Sequence, residues 1–512
     1  MRTTLSSLAN RTECGPRTSA AVLLLILLAV GFCSALHAFA APFWYDEICT
    51  VVLCHLPSAS EIWKALDSAA DTNPPVFYLI TRWTHHFVSD DHLGYRLPSI
   101  LGLLVTVFCI YITLRKTVRC LSALLGATFV LCTQLAAYGY EARPYALVLG
   151  CISGAALAWQ RIDDSRLYSV VAACALATAV SLHYYAVLVW PAFLIAEASV
   201  WLFHRRFRIG AWLALLLGAF PLLLFAPLLL KLRQYYAENF WAKPSVRMAF
   251  LAHNEIFTFG GNWGVVFAAG ITVVLLYFNI MALTGGNGSG SGERDASTLW
   301  VGEQALTLML LWFPLFAVGA AKVAHLGMTE RYMLPTTLGG ALALGYLTDR
   351  MPSVGRVLVL ILLLMSYMSS STTVVKDLLK GSLLDSRAAA TRETMTLVGQ
   401  FNLPIVISSG IRYLPMAYYT PAESTAELFV LVDPAEAVKD IKTDSVDLAL
   451  LVLRRYVPLR VEDYRGFVSN HQEFVLVVGG AFEWLPMRLL RDGYHLRLLS
   501  TSRTTIYIVT VK

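Results

Sequence analysis

The stretch AAVLLLILLAVGFCSALHAFAAPFWYDE, residues 20–47, decides the fold. Residues 20–45 hold no Asp, Glu, Lys or Arg, and a helix needs about 20 largely apolar residues to cross a hydrocarbon core. The run therefore reads as a membrane span over 19–41. Three rings follow it, Phe43, Trp44 and Tyr45, and then two adjacent carboxylates, Asp46 and Glu47. Ala38-Phe39-Ala40 resembles a signal-peptide cleavage site, but the run is longer than a typical signal-peptide core, which favours a retained helix.

The rest of the chain agrees with its beginning. Of 512 residues, 57% are hydrophobic and only 14% charged, and mean hydropathy is +0.61. Soluble chains carry about 25% charged residues, so this is a polytopic α-helical membrane protein. The net charge of +6 does not point to nucleic acid, because Lys and Arg fall in small clusters between apolar runs. Of nine cysteines, none forms a CxxC pair. Cys109, Cys132, Cys151 and Cys174 sit in apolar runs as small hydrophobes. Cys49 and Cys54 fall outside the first span, where a local disulfide is an option.

Eleven spans are predicted, at 19–41, 96–114, 120–138, 145–160, 167–182, 185–203, 209–230, 264–283, 299–320, 332–348 and 356–374. Short loops rich in Lys and Arg stay cytoplasmic. Arg2, Arg11 and Arg17, then Arg115, Lys116 and Arg119, Arg161 and Arg166, Arg205, Arg206 and Arg208, Arg294, and Arg350 with Arg356 mark that side. The opposite side receives 42–95, 139–144, 183–184, 231–263, 321–331 and everything after 375. Arg143, in a very short outer loop, is the exception that asks for a reason. The run Gly285–Gly292 reads as a flexible cytoplasmic connector.

After 375 the apolar runs shrink to strand length, at Pro404–Ser408, Leu448–Leu453, Phe474–Val478, His495–Leu499 and Thr505–Val511. Helical segments, Arg387–Gln400 and Trp484–Arg491, lie among them. The alternation predicts an extracytoplasmic α/β domain at 376–512, following a membrane domain at 1–375 that includes the first outer loop, 42–95.

That loop carries two amphipathic helices, one at Ser60–Leu66 with Ile62, Trp63 and Leu66 on one side, the other at Pro75–Trp83 behind Asn73-Pro74-Pro75. A carboxylate at Asp46 or Glu47, flanked by a like charge and by rings, can accept a proton from a nucleophile. The plainer reading is an interfacial aromatic belt with the carboxylates ending the helix on the wet side. Tyr138–Tyr145 adds Glu141 and Arg143, the 231–263 loop adds Lys231, Arg233, Lys243 and Arg247 among aromatics, and Glu330-Arg331 closes the last loop. Guanidinium groups bind phosphate with paired donors, though interfacial Arg also contacts lipid headgroups. His85, His86 and His92 lack metal-ligand spacing, and His183-Tyr184-Tyr185 reads as a structural turn. Neither a P-loop nor a dinucleotide fingerprint is present.

The order of motifs is informative. Trp44-Tyr45-Asp46-Glu47 is followed by Asn73-Pro74-Pro75-Val76-Phe77-Tyr78, by Tyr95-Arg96-Leu97-Pro98-Ser99-Ile100-Leu101-Gly102, by Tyr140-Glu141-Ala142-Arg143-Pro144-Tyr145 and by Glu330-Arg331-Tyr332-Met333-Leu334-Pro335. This order resembles the bacterial GT-C membrane glycosyltransferases, the group similar to protein O-mannosyltransferases and to aminoarabinose and rhizobial lipid A glycosyltransferases. The resemblance is strongest over 40–205 and weaker to about 350.

The resemblance implies a hexosyl or pentosyl transferase of the bacterial inner membrane, with a cytoplasmic N-terminus and a periplasmic site. The donor would be a polyprenyl-phosphate sugar and the acceptor a lipid, glycan or protein of the cell envelope. Asp46 matches the family's acidic residue after the first span, the general base or acceptor-orienting group, and Glu47 completes the pair. Arg143 matches a family arginine near the donor phosphate, and Arg331, in the family's final outer-loop motif, is a second candidate for contact with it. Asn73, Arg96, Glu141, Tyr145 and Glu330 are further substrate-site candidates. The family admits a divalent metal, but nothing in this sequence demands one, so no cofactor is expected. Where aminoarabinose transferases carry a basic residue after the acidic pair, Ile48-Cys49-Thr50 stands here, and Asn73 stands where they carry Lys. The acceptor therefore stays open. The competing class is a transporter or lipid flippase, which would place ionisable groups or broken helices near the bilayer midplane. A ligand sensor anchored by the spans is a third reading.

Overall fold

The computed structural model describes residues 15–236, 238–258, 262–284, 291–380, 389–421, 425, 427–501 and 504–511. Arg2, Arg11 and most of the predicted Gly/Ser connector, 285–290, lie outside the described residues.

Each of the eleven predicted apolar segments is built mainly of helix. Among the described residues, three helices are long and apolar enough to cross a membrane unaided: Arg17–Ala40, Asp91–Leu114 and Tyr184–His204. Two bent pairs raise the number to five if each is one span: Ile209–Leu224 with Ala226–Tyr236, bent by 60°, and Trp300–Leu311 with Phe313–Ala324, bent by 63°. Both bends follow from the sequence. Pro221, Pro227 and Pro314 sit in these stretches, and proline removes a ladder donor and crowds the preceding turn. Cys120–Cys132, Tyr145–Gln160, Arg166–Leu182, Trp263–Tyr277 and Ser353–Ser369 are apolar but shorter. Length alone therefore supports three to five spans rather than eleven.

The chain forms two compact units, which do not follow chain order. One comprises residues up to Ala38, Arg96–Ala226 and Pro244–Lys376; the other comprises Phe39–Tyr95, Pro227–Lys243 and Asp377–Lys512.

In the first unit, helices approach closely where glycine allows it. A Cβ on Gly102 would stand 2.4 Å from the Leu147 Cα and N, so helix Asp91–Leu114 meets helix Tyr145–Gln160 backbone to backbone. Buried polar groups tie the helix ends. Glu303 accepts from Gln160 Nε2 at 2.7 Å and from the Tyr346 hydroxyl at 3.2 Å. Glu197 accepts from Trp159 Nε1 at 2.5 Å and pairs with Arg208, both charges almost fully buried. Gln160 ends its helix and Arg208 precedes the next one. These carboxylates thus gather at the helix ends that carry the Lys and Arg clusters.

In the second unit, six strands form one sheet: β1 Ile405–Ile407, β2 Leu428–Val432, β3 Val461–Asp463, β4 Glu473–Val478, β5 His495–Ser500 and β6 Thr505–Thr510. Their order is β3-β2-β1-β4-β6-β5. Ile405 registers with Leu428 on one side and Val475 on the other, all parallel, while β6 runs antiparallel to both β4 and β5. Helices connect the successive parallel strands, as parallel pairing requires. The core gathers Val406, Leu431, Phe467, Leu476, Trp484 and Val509. The α/β expectation holds, with one exchange. Leu448–Leu453, predicted as a strand, is the end of helix Ser445–Leu453, whereas β2 and β3 fall where no strand was predicted.

The first-loop helices form at Ala59–Asp67 and Pro75–His85. Ser58 Oγ caps the former by accepting the Glu61 N–H at 3.2 Å, and Pro75 occupies the first turn of the latter. Ile62 and Leu66 are buried but Trp63 is exposed, so the buried face is narrower than predicted. Cys49 and Cys54 are separate buried thiols, not a disulfide.

Candidate active site

The carboxylate pair opens helix Tyr45–Cys54. Its two members have different surroundings. Glu47 is fully buried, and its Oε2 accepts the Trp44 backbone N–H at 3.3 Å, satisfying a donor at the helix start. Asp46 is half-buried. Phe43 and Tyr45 are buried within protein, which replaces the predicted lipid-interface belt with a packing role. Phe43 stacks on His92 with ring centres 4.2 Å apart and planes 2° from parallel. Its backbone N–H donates to the Tyr419 hydroxyl at 2.6 Å, and His92 Nε2 stands 2.7 Å from that same hydroxyl. His85 takes a different partner, Asp91, at 2.7 Å. Among the described residues no three His, Cys, Asp or Glu side chains gather as a metal site.

Burial pushes the Tyr45 hydroxyl well above its ordinary pKa, helped by nearby Cys49, Tyr236, Asp46 and Asp71. A buried phenol thus shares the electrostatic surroundings of two carboxylates, of which Asp71 was not singled out by sequence. Asp71 Oδ1 accepts the Thr72 N–H at 2.6 Å. Asn73 follows, 1% exposed, and neither polar atom of its side chain has a hydrogen-bond partner among the described residues. A buried amide in that condition is unusual in a native fold and suits a polar guest.

The first unit holds the other candidates. Arg96 is buried and donates through Nη1 to the Ala38 carbonyl at 2.6 Å, joining the second predicted span to the end of the first. Arg143 is also buried. Its N–H donates to the Glu141 carbonyl at 2.7 Å and its own carbonyl accepts from Ser99 Oγ at 2.8 Å, so the backbone of the Glu141–Arg143 turn is fixed from both sides. Tyr145 begins the helix that follows.

Here two distant motifs meet. The Arg331 guanidinium lies 5.8 Å from the centre of the Tyr145 ring and 5.9 Å from that of Tyr332, within cation–π range. Tyr332 stacks on Tyr185 with centres 4.6 Å apart, and His183 stands 4.8 Å from Tyr332 and 5.6 Å from Tyr145. The His183–Tyr185 turn, read as structural from sequence, is therefore part of this aromatic cluster around Arg331. Glu330 faces Glu255 of helix Val246–Ile256, whose carboxyl is raised by burial first and by Glu330 second. Glu255 has no local sequence signal.

The arrangement of these elements sets a class: the fold is similar to the GT-C fold of the membrane protein ArnT. Residues 72–230 match the family model described as dolichyl-phosphate-mannose-protein mannosyltransferase, the stretch that carries Asn73, Arg96, Glu141, Arg143 and Tyr145. Two solved structures share the fold. ArnT from Cupriavidus metallidurans in the apo state is similar to this chain with a TM-score of 0.58 and 14% identity, over 96% of this chain and 98% of that one. The same protein bound to undecaprenyl phosphate gives 0.57 and 13% over the same shares. No curated protein sequence matches the chain significantly. The resemblance read from the motifs stands, and the chain is a membrane protein with the ArnT fold.

Proposed function

We propose that the chain moves a sugar from a polyprenyl-phosphate carrier to a cell-envelope acceptor, on the periplasmic face of a bacterial inner membrane. The observation that carries this reading is the family match over residues 72–230 on the fold of a protein solved with undecaprenyl phosphate bound. The acceptor nucleophile, an O–H or N–H group, attacks the anomeric carbon. Its bond to that carbon forms as the bond from carbon to phosphate oxygen breaks, with inversion. Asp46 receives the proton, and polyprenyl phosphate leaves with the electron pair. Arg143 and Arg331 hold the phosphate, because fixed cations in a water-poor site stabilise leaving-group charge more than solvent does. A phosphate ester leaves readily, so the step asks for neither a second acid nor a divalent metal. Residues 376–512 would lie in the periplasm, with the N-terminus in the cytoplasm.

The test is to supply membranes containing the protein with radiolabelled undecaprenyl-phosphate sugar. Label leaving the lipid for a new acceptor supports the transferase.

One observation favours a second reading. The two helix pairs bent by 60° and 63° resemble the broken spans of transporters and flippases. Against it, Glu303 and Glu197 bond groups at helix ends, away from a midplane pathway. If label crosses the membrane with its sugar–phosphate bond intact, the flippase reading replaces the transferase.

A further inference from the structure

Arg331 sits on the short 3₁₀ turn Glu330–Met333. An arginine side chain is long and loses much conformational freedom when it is held still. So short a turn gives it no neighbouring turn to pack on. What orders the guanidinium must come from elsewhere in the chain.

One side chain brackets it. The Tyr185 hydroxyl donates to the carbonyl of Gly327, which precedes Arg331 in the same loop. The Tyr185 ring stacks on Tyr332, the residue after Arg331, with planes 23° apart. Tyr185 is held in turn by His183, whose Nδ1 accepts the Tyr185 backbone N–H at 3.2 Å. The Ala186 N–H closes this turn by donating to the His183 carbonyl at 3.0 Å. The turn opens helix Tyr184–His204, one of those long enough to cross a membrane, so it rests on a rigid element. The His183 ring also faces Tyr145 and Tyr332. A cavity of about 20 Å³ is left among Tyr145, His183, Tyr185, Arg331 and Tyr332. A single water already needs about 10–15 Å³, so the rings have little room to turn without moving the guanidinium.

We infer that His183 and Tyr185 are positioning residues for Arg331: they hold its guanidinium against the Tyr145 ring in the orientation that receives the donor phosphate. Neither touches the phosphate. The inference rests on the reading above, in which Arg331 binds that phosphate. A cation ordered before the anion arrives binds it more tightly than one that must be ordered on binding. Loss of the Tyr185 hydroxyl, or of the acceptor at His183, therefore weakens donor binding through Arg331 and through no other group.

The test measures binding of radiolabelled undecaprenyl phosphate to the purified full chain in micelles, where no sugar is transferred. Arg331→Gln should bind about tenfold more weakly, as for one lost charge-assisted hydrogen bond. Tyr185→Phe keeps the ring stack and loses only the bond to Gly327, so it should bind about fivefold more weakly. His183→Leu should do the same. His183→Asn restores an acceptor at the start of the turn and should bind within about twofold of wild type. Tyr185→Phe added to Arg331→Gln should bind no worse than Arg331→Gln alone, because Tyr185 acts only through Arg331. A merely structural role for Tyr185 would make the two losses add, and that result overturns the inference. So does wild-type binding by both Tyr185→Phe and His183→Leu while Arg331→Gln binds weakly. Wild-type binding by Arg331→Gln removes Arg331 from the donor site and overturns the inference with it. If His183→Leu does not fold, Tyr185→Phe, which loses a single oxygen atom, decides alone. Absence of sugar transfer in membranes from a chain with the expected binding pattern removes the transferase reading and leaves the positioning role in place.

Discussion

The Arg331 guanidinium stands 5.8 Å from the centre of the Tyr145 ring, across 186 residues of sequence. If this pair holds the donor phosphate, the ring positions the cation and the cation binds the anion. Arg331→Lys keeps the charge but loses the planar fork. It is expected to raise the donor KM about tenfold, the value of one charge-assisted hydrogen bond. Tyr145→Phe keeps the ring face and should leave the donor KM near wild type, whereas Tyr145→Leu should raise it. A double-mutant cycle on donor KM should give a coupling of about 0.5–2 kcal/mol. Additive effects would show that the two residues act separately.

The adjacent carboxylates are expected to separate in the same experiment. Asp46→Asn should lower kcat by about 10²–10⁴, the usual range for a general base, with no change in thermal stability. Glu47 accepts the Trp44 N–H at the helix start. Glu47→Ala should therefore cost stability, about 0.5–2 kcal/mol as for other lost caps, and Glu47→Gln should restore most of it. Thermal melts together with transfer rates distinguish the two. Equal loss of kcat in Asp46→Asn and Glu47→Gln would mean that the pair acts as a unit.

Burial pushes the Asp447 carboxyl up to about 7 from its ordinary 3.8, only partly offset by hydrogen bonds from the Asp433 N–H and Trp484 Nε1. Below about pH 4 it is protonated in both folded and unfolded chains, so the shift has no effect. Between there and pH 7 the unfolded chain releases the proton while the folded one keeps it, so stability falls as pH rises. Above 7 the penalty is constant, at most about 4 kcal/mol. Hydrogen exchange at β1 and β2, corrected for intrinsic rate, should lose protection over this window in wild type. Asp447→Asn should lose less. Parallel pH profiles for the two would show that Asp447 does not titrate there.

What sequence could reveal here depended on range. The apolar period located the helices, and Tyr140–Tyr145 with Glu330–Tyr332 located both halves of the Arg331 cluster, because those motifs are local. Leu448–Leu453 misled because a six-residue apolar run has no period that separates strand from buried helix. Tyr419 could not be found at all. Its hydroxyl serves Phe43, 376 residues earlier, and nothing around position 419 signals that bond. Glu47 resembled its neighbour in sequence, and only burial and the Trp44 N–H distinguish it. The eleven apolar segments were legible, but two bends and several short helices fixed by packing altered what length alone supports.

Gly102 links packing to the candidate site. A methyl group there would meet Leu147 backbone atoms at 2.4 Å and the Ala146 carbonyl carbon at 2.5 Å, so the helix beginning at Tyr145 would have to move. Overpacking of this kind costs about 1–3 kcal/mol. Because Arg143 and Tyr145 sit at the start of that helix, Gly102→Ala should also raise the donor KM several-fold. Gly154 lies on the same helix, and a methyl group added there would meet no neighbouring atom within 4 Å, so Gly154→Ala is the matched control. It should be neutral or more stable by up to about 1 kcal/mol, with donor KM unchanged, since alanine is the better helix former. Thermal melts and donor titrations on the two variants decide the matter. A Gly102→Ala protein as stable as Gly154→Ala, with an unaltered donor KM, would show that the close approach does not position the site.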